Sequence, residues 1–221
     1  MAQKRLTRDH IVLTAIAFVD EHGLDALTMR RLGDVIGVEA MALYRHVSGR
    51  GDLLEGMVAN LIDNLFENDL MTETPTSWED YLQRVANATL PLARQHPEIF
   101  PLIATQPSEA PWLRPPLRSL RWVEDFLSTL QRFGFSDENA VSAYKAFTSF
   151  LIGDLLLQVH SNGLDHVIGF DGDEASEEES DLAGYPTVTR LSELLGQDHS
   201  QREFDDGLDD LIERIRATLT K

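Results

Sequence analysis

Four side chains near the start of the chain could hold a polyanion. Tyr44, Arg45 and Arg50 lie in the stretch IGVEAMALYRHVSGR at residues 36–50, and Arg30 precedes it. A guanidinium group donates paired hydrogen bonds to a phosphate or to the O6 and N7 atoms of guanine. A tyrosine hydroxyl also donates to phosphate oxygens. These residue types are therefore suited to nucleic-acid contacts: Tyr44 and Arg50 suit phosphate oxygens, and Arg30 suits a guanine.

Charge is spread unevenly over the 221 residues. The formal net charge is −18, yet residues 1–50 carry seven Lys and Arg against six Asp and Glu, a net of +1. Residues 51–221 therefore hold the whole excess of acid. Salt screens charges over about 8 Å at physiological ionic strength, so an acidic body does not prevent a phosphate contact at a distant tip. The excess itself indicates solubility.

Several classes of protein are disfavoured by the composition. The chain has no cysteine, which excludes disulfides, thiolate metal sites and cysteine nucleophiles. No apolar run approaches the roughly 20 residues of a membrane helix, and no signal peptide opens the chain. No catalytic order, glycine-rich phosphate loop or metal-ligand spacing stands out. We therefore predict a cytoplasmic protein that is not an enzyme and has no metal, cofactor or membrane contact.

The elements that must position the four side chains are short helices. Apolar spacing and glycine breaks predict three of them, at residues 7–22, 29–36 and 39–47. Thr7 and Thr28 are suited to cap the first two. Gly37 lets the second turn tighten, and Gly33 lets the second and third helices approach. This arrangement is a helix-turn-helix pattern.

The third helix of such a pattern would read the major groove. Its outward positions are Ala40, Met41, Tyr44 and Arg45. His46 is more typical of a packed or capping histidine than of a base reader. Similar helical trios occur in proteins that bind no DNA, so a helical protein-interaction adaptor without specific DNA binding stays open as an alternative.

The rest of the chain also has helical periodicity, and no strand alternation interrupts it. We predict an all-α fold with a DNA-binding head at 1–50 and a body at 51–221. The acidic residues 171–181 are predicted to be a mobile loop. The body helices are expected at residues 53–70, 78–96, 98–105, 113–133, 140–158 and 204–219. The helices at 140–158 and 204–219 are apolar on more than one side, which predicts a two-fold homodimer.

Two segments of the head resemble the TetR family of bacterial regulators: TRDHIVLTAIAFVDEHG at 7–23 and TMRRLGDVIGVEAMALYRHV at 28–47. SWEDYL at 77–82 and GFSDENA at 134–140 are similar to the tetracycline-repressor branch. The resemblance implies a homodimeric, ligand-responsive repressor that binds a palindromic double-stranded DNA operator and is released by a small-molecule effector. By position it implies a base contact at Arg30, phosphate contacts at Tyr44 and Arg50, and a reading helix that starts at Ala40, Met41 and Ala42.

The resemblance also implies a ligand pocket in the body. Its candidate lining is mostly apolar, which favours a hydrophobic or aromatic effector. Each residue taken alone could equally belong to the ordinary core. The set is Phe66, Val85, Thr89, Leu102, Thr105, Gln106, Trp112, Phe126 and Phe147.

The predicted pocket departs from that of tetracycline repressor. The magnesium-binding histidine falls at Leu102, the water-mediated acid at Leu157 and the drug-binding asparagine near Val85, although Thr105 and Pro107 persist. A hard cation prefers oxygen ligands, which this set has lost. We therefore expect an effector other than magnesium-tetracycline.

Asp154 is an acidic residue on an otherwise apolar helix face. A buried charge without a partner would be costly there. Asp154 could anchor a polar or cationic group of the ligand, pair across the dimer, or pair with a nearby arginine.

Overall fold

The computed structural model describes residues 6–105, 112–113, 119–167 and 184–219, with the backbone alone at residues 105, 160–167 and 219. All regular structure within these ranges is helical, which confirms the all-α prediction. In the head, α1 spans Arg8–His22, α2 spans Met29–Ile36 and α3 spans Ala40–Leu43. A 3₁₀ turn at Leu24–Ala26 joins α1 to α2.

Local side-chain chemistry sets the ends of the head helices. The Thr7 hydroxyl accepts a hydrogen bond from His10 N, and the Thr28 hydroxyl accepts one from Arg31 N, each at 3.2 Å. Both predicted N-caps are confirmed. Gly37 ends α2 in the left-handed conformation, with φ of 80°. A residue without a side chain adopts this conformation at least cost.

The close approach of α2 and α3 depends on Gly33. A Cβ atom there would lie 2.8 Å from the carbonyl oxygen of Val38 and 3.3 Å from the backbone nitrogen of Ala40. Real Cβ atoms almost never come so near to backbone, so a side chain would push the turn outward. This geometry agrees with the prediction that a small residue is needed at Gly33.

The body contains eight further helices in the described residues. One of them, the helix Trp78–Gln95, also contacts the head core through Leu92. The bounds are α4 Arg50–Glu67, α5 Asp69–Thr72, α6 Trp78–Gln95, α7 Leu102–Thr105, α8 Leu120–Arg132, α9 Asp137–Val167, α10 Pro186–Leu195 and α11 Ser200–Leu219.

Several predicted bounds were wrong for local reasons. The helix predicted at 39–47 is α-helical only at Ala40–Leu43, because tight turns follow it. The helix predicted at 53–70 is two helices, since the Asn68 side chain accepts from Leu70 N at 2.9 Å and caps a new one. Helix α9 starts before Ala140, and Ser136 caps it.

Other bounds shift because of turns and an unpredicted helix. The segment predicted as a helix at 98–105 is helical only from Leu102. Helix α8 begins at Leu120 rather than at residue 113, and the Ser119 hydroxyl accepts from Trp122 N at 3.3 Å. Helix α10 was not predicted at all. The acidic segment 171–181 lies outside the described residues.

Two apolar cores are built from these helices, and α4 contributes to both. Its first half places Leu53, Leu54 and Met57 in the head core, beside buried residues of α1, α2 and α3. Val58, Ile62 and Leu65 of the same helix belong to the body core with α6, α8, α9 and α11, whereas Leu61 belongs to the head core. The predicted boundary after residue 50 stays a prediction, and it falls at the start of this shared helix.

Helix α9 includes a stretch, Asp137–Val159, that is long and apolar enough by composition to cross a membrane. The core helix of a soluble protein meets the same criterion. Here the stretch packs against α6, α8 and α11, and Phe147, Leu151 and Leu155 are fully buried. The composition of α9 is therefore weak evidence for a membrane span.

Candidate functional site

The head exposes most of the side chains that the sequence assigned to DNA. Arg30 is exposed in the first turn of α2, and Tyr44 and Arg45 are exposed just after α3. Met41 is 74% exposed, an unusual value for a large apolar side chain. All of these side chains lie on α2, on α3 or in the turn just after α3, and α2 and α3 pack against each other. Ala40 and Ala42 are half-buried.

His46 differs from its prediction as a packed or capping histidine. Its side chain is exposed, whereas its neighbours Leu43 and Val47 are buried in the head core. The turns after α3 point successive side chains in different directions, so helical spacing no longer applies at His46.

Arg50 makes contacts within the head. Its Nε donates to the carbonyl oxygen of Leu27 at 3.4 Å, and its Nη2 donates to that of Leu24 at 3.3 Å. The side chain therefore ties the start of α4 to the 3₁₀ turn that precedes α2. The guanidinium group has five N–H donors, so these bonds leave others for a phosphate.

The start of α4 is also fixed by Asp52. The Asp52 carboxylate accepts from Ser48 N at 2.7 Å and from the Ser48 hydroxyl at 3.1 Å, and it pairs with Arg8 of α1. The backbone hydrogen bond from Ser48 is the main cause that lowers the pKa of Asp52, and Arg8 adds to it. The carboxylate thus holds α4, α1 and the turn after α3 together.

The body contains a cavity between α4, α6, α7, α8 and α9. Its volume is about 20 Å³, which is room for roughly one water molecule. Most of its wall is aliphatic or aromatic. The lining is Ile62, Leu65, Thr89, Leu92, Phe100, Ile103, Ser119, Trp122 and Ile152.

Only part of the predicted pocket set lies near this cavity. Thr89 lines it, and its hydroxyl donates to the carbonyl oxygen of Val85 at 2.7 Å. Phe66 packs edge-to-face on the lining residue Trp122, with ring centroids 6.5 Å apart. Leu102 packs against both cores.

Other members of the predicted set lie elsewhere. Val85, Phe126 and Phe147 are buried in the body core and are not part of the cavity wall. Trp112 is 77% exposed and does not line the cavity. Gln106 and the side chain of Thr105 lie outside the described residues.

Phe126 is the centre of an aromatic cluster. Its ring centroid lies 5.6 Å from Tyr81, 5.6 Å from Tyr144 and 5.4 Å from Phe147. Such edge-to-face and tilted pairs stabilise a core beyond the area they bury. The Tyr81 hydroxyl donates to Asp125 at 2.8 Å. Phe126 and Phe147 therefore act as packing residues in this conformation.

Sequence reasoning missed most of the cavity wall. Ile62, Leu65, Leu92 and Ile152 share the helical spacing of ordinary core residues, so no local signal marks them. Ser119 was also missed, although a serine before an apolar periodic segment is a recognisable N-cap signal.

Asp154 finds a neutral partner on its own helix. Gln158 Nε2 donates to the Asp154 carboxylate at 2.7 Å, and Arg94 donates to Gln158 Oε1 at 3.1 Å. Burial raises the pKa of Asp154, and the hydrogen bond from Gln158 opposes that rise. Arg94 thus reaches Asp154 through Gln158, which fits the predicted pairing with an arginine only indirectly.

No group of three His, Asp or Glu side chains is placed to hold a metal ion in the part of the chain that the structure describes.

The fold and the site define the class of protein. The head exposes Arg30, Tyr44 and Arg45, and a shared helix joins it to a body with an apolar cavity. This is an all-helical protein of the helix-turn-helix class. Residues 71–219 match the family model described as "Tetracyclin repressor-like, C-terminal domain". The chain belongs to this tetracycline-repressor-like family.

Individual relatives agree with this assignment. The chain is 28% identical to the HTH-type transcriptional repressor DrrR1 of Streptomyces coeruleorubidus, over 96% of this chain and 80% of that protein. It is 25% identical to the class D tetracycline repressor protein of Escherichia coli, over 98% and 92%. A possible TetR family transcriptional regulator from Streptomyces coelicolor A3(2) has a solved structure that matches with a TM-score of 0.74 and 28% identity, over 96% and 99%.

Proposed function

We propose that this protein is a transcriptional repressor that binds a palindromic DNA operator as a homodimer and releases it when a small hydrophobic effector enters the body. The two similar proteins from Streptomyces coeruleorubidus and Escherichia coli are both named as repressors, which supports the proposal. A repressor of this kind acts where bacterial DNA is, so we place it in the cytoplasm and propose no enzymatic activity for it.

One observation carries the proposal: α4 joins the DNA-binding surface to the cavity. Leu53, Leu54 and Met57 at its start pack in the head core, and Ile62 and Leu65 near its end line the cavity. A ligand that pushes on the second half of α4 therefore moves a helix whose first half holds the head. This continuity would let occupancy change the spacing of two reading heads.

A second contact runs from the end of α6 to the head. Phe100 and Ile103 line the cavity, whereas Ile99 between α6 and α7 is buried in the head core. His96 of the same segment contacts Asp20 on α1. Expansion of the cavity would therefore act on the head through two separate segments.

The proposed dimer is assigned to α9 and α11. Both helices carry apolar residues on more than one side of the helix, so that one side can pack in the body core and another can pack on a second copy. Leu157 of α9 is 74% exposed in the single chain. We propose that the dimer places two reading helices about 34–36 Å apart, one turn of DNA.

The character of the cavity supports an effector other than magnesium-tetracycline. Leu102 and Val85 are apolar and at least partly buried, and neither can bind a hard cation. None of the nine lining side chains carries a formal charge. A small apolar molecule is the ligand that such a wall accepts.

The test is operator selection from a random duplex library at moderate salt, with sequencing of the retained DNA. We expect a palindrome whose half-sites lie about one helical turn apart. Arg30→Ala should change the preference at one position in each half-site, and Arg190→Ala, an exposed arginine of α10, should not. Retention without sequence preference, or none at all, would overturn the proposal and favour the helical adaptor.

A further inference from the structure

Trp122 is a cavity-lining residue whose polar atom has no partner. The side chain is 8% exposed, and its indole Nε1 has no hydrogen-bond acceptor within the described part of the chain. An indole N–H can only donate. Buried polar groups in native proteins are nearly always satisfied, so an unpartnered donor needs an explanation.

The two other polar side chains in the described wall each make one hydrogen bond within the protein. The Thr89 hydroxyl donates to Val85, and the Ser119 hydroxyl accepts from the backbone nitrogen of Trp122. The rest of the lining is aliphatic or aromatic hydrocarbon. Trp122 therefore has an N–H beside the cavity that its own surroundings leave unused, and a ligand reaches it only when the wall opens.

The position of the Trp122 ring is fixed from outside the cavity. Phe66 contacts it edge-to-face, and the Arg121 guanidinium lies 4.5 Å from the centre of the Phe66 ring. Arg121 also bonds to Asp63 at 2.8 Å, so its positive charge is balanced by a carboxylate. Among the residues that the structure describes, the wall thus combines a fixed donor with no available positive charge.

We propose that the effector is an uncharged, mainly apolar molecule with an oxygen atom that accepts a hydrogen bond from Trp122 Nε1. Trp122 is then the residue that sets specificity among apolar ligands. This inference rests on the proposed function, since it takes the cavity as the effector site. A charged carboxylate is disfavoured because none of the lining side chains that the structure describes is a cation that would compensate for its loss of water.

The cavity must open to admit such a molecule, because its present volume of about 20 Å³ holds only a water. Its wall is made by side chains from five separate helices, and a ligand larger than water has to move some of them apart. The same displacement is what the proposed release of DNA requires.

The test uses two small bicyclic probes that differ by one carbonyl group, 1-indanone and indane. In ¹⁵N-labelled protein, the three tryptophans give three indole N–H signals, which Trp112→Phe and Trp122→Phe assign. We expect 1-indanone to move the Trp122 signal and to bind about tenfold tighter than indane. Trp122→Phe keeps an aromatic ring and should abolish this preference.

Trp112→Phe is the matched control, because Trp112 is exposed and should leave the preference unchanged. Equal binding of the two probes, no binding of either, or a preference that survives Trp122→Phe would overturn the inference. A third probe, indane-1-carboxylate, should bind more weakly than 1-indanone, and tighter binding would overturn the uncharged class. If Trp122→Phe fails to fold, Trp78→Phe takes its place in the assignment, and the Trp122 signal of the wild-type protein then tests the inference.

Failure of the inference and failure of the proposed function are distinguishable. The probe titrations contain no DNA, and operator selection contains no probe. A protein that selects a palindrome but shows no Trp122 response remains a repressor with a different ligand chemistry. A protein with a Trp122 response but no DNA preference would bind acceptor ligands for another purpose.

Discussion

The Asp20 carboxylate on α1 lies 2.9 Å from Nδ1 of His96, at the end of α6. The two residues are far apart in sequence, and their contact joins the head to the body. Three residues after His96, Ile99 enters the head core, and Phe100 lines the cavity. A polar contact and an apolar contact thus hold the same junction.

Asp20→Asn should loosen this junction. A partly exposed pair of this kind contributes about 0.5–1 kcal/mol, so the loss of stability should be small. The sharper measurement is hydrogen exchange, in which amides of α1 and of residues 96–100 should exchange faster while α9 is unchanged. Asp25→Asn, at an exposed acid of the neighbouring turn, is the control. Unchanged exchange at α1 would show that apolar packing alone holds the head.

Gly33→Ala should disturb the turn between α2 and α3. The added Cβ would lie 2.8 Å from the Val38 carbonyl oxygen, which belongs to the backbone and moves only with the turn. We expect a loss of about 1–3 kcal/mol in the free energy of unfolding, as for other overpacked sites. Gly51→Ala, where a Cβ meets nothing within 4 Å, should instead gain about 0.5–1 kcal/mol. Urea denaturation measures both, and equal effects would contradict the geometry.

Phe126→Ala tests whether this residue is core or pocket. Removal of a fully buried phenylalanine from the aromatic cluster should cost about 3–5 kcal/mol in urea denaturation. Trp112→Ala, at the exposed tryptophan, should change stability by less than about 0.5 kcal/mol. A loss under about 1 kcal/mol for Phe126→Ala would place Phe126 in a solvent-filled pocket.

The Asp80 carboxylate should make stability depend on pH. Hydrogen bonds from Arg84 and Thr76 lower the pKa of Asp80 from its ordinary value of 3.8 to about 2. A pKa that is lower in the folded state gives stability that is present above pH 3.8 and is lost as pH falls through 2. The wild type should exceed Asp80→Asn by about 1 kcal/mol at neutral pH, after allowance for solvent screening.

Thermal melting at several pH values checks this dependence. The difference between wild type and Asp80→Asn should shrink from pH 4 downward and nearly vanish near pH 2. Asp209→Asn, at an exposed carboxylate of α11, provides the baseline. A constant difference across this range would show that the Asp80 charge does not contribute.

Arg45 and Arg50 should affect DNA binding in different ways. Each phosphate contact that is lost reduces the log-log salt dependence of affinity by about 0.9. Arg45→Ala should show this change without a loss of thermal stability, because Arg45 is exposed. Arg50→Ala should also lower the melting temperature, because its bonds to Leu24 and Leu27 disappear. An unchanged salt slope in both variants would remove the two arginines from the DNA interface.

The sequence was most informative where structure is determined locally. Thr7 and Thr28 cap helices by bonds that span three residues, and Gly37 ends α2 through its own backbone conformation. Such features are visible in a short window of sequence. The head helices α1 and α2 were therefore predicted nearly to the residue.

The sequence was least informative where the fold joins distant segments. Phe126 and Trp122 are buried aromatic residues one turn apart on α8, but only Trp122 lines the cavity. Both residues fit the same apolar helical spacing of α8, so the sequence does not distinguish them. Which of the two lines the cavity depends on the neighbouring helices that each side chain faces. The bonds from Arg50 to Leu24 and Leu27 likewise depend on packing across more than twenty residues.

The shared helix α4 has a consequence for chimeric regulators. A fragment that ends at residue 50 would lack Leu53, Leu54 and Met57, which are buried in the head core. Its remaining helices would expose that core to water and would not hold Arg30 and Tyr44 in position. A functional transplant of the DNA specificity onto another body must therefore carry α4 at least as far as Leu61, which is also fully buried in the head core, and the splice point belongs after that residue.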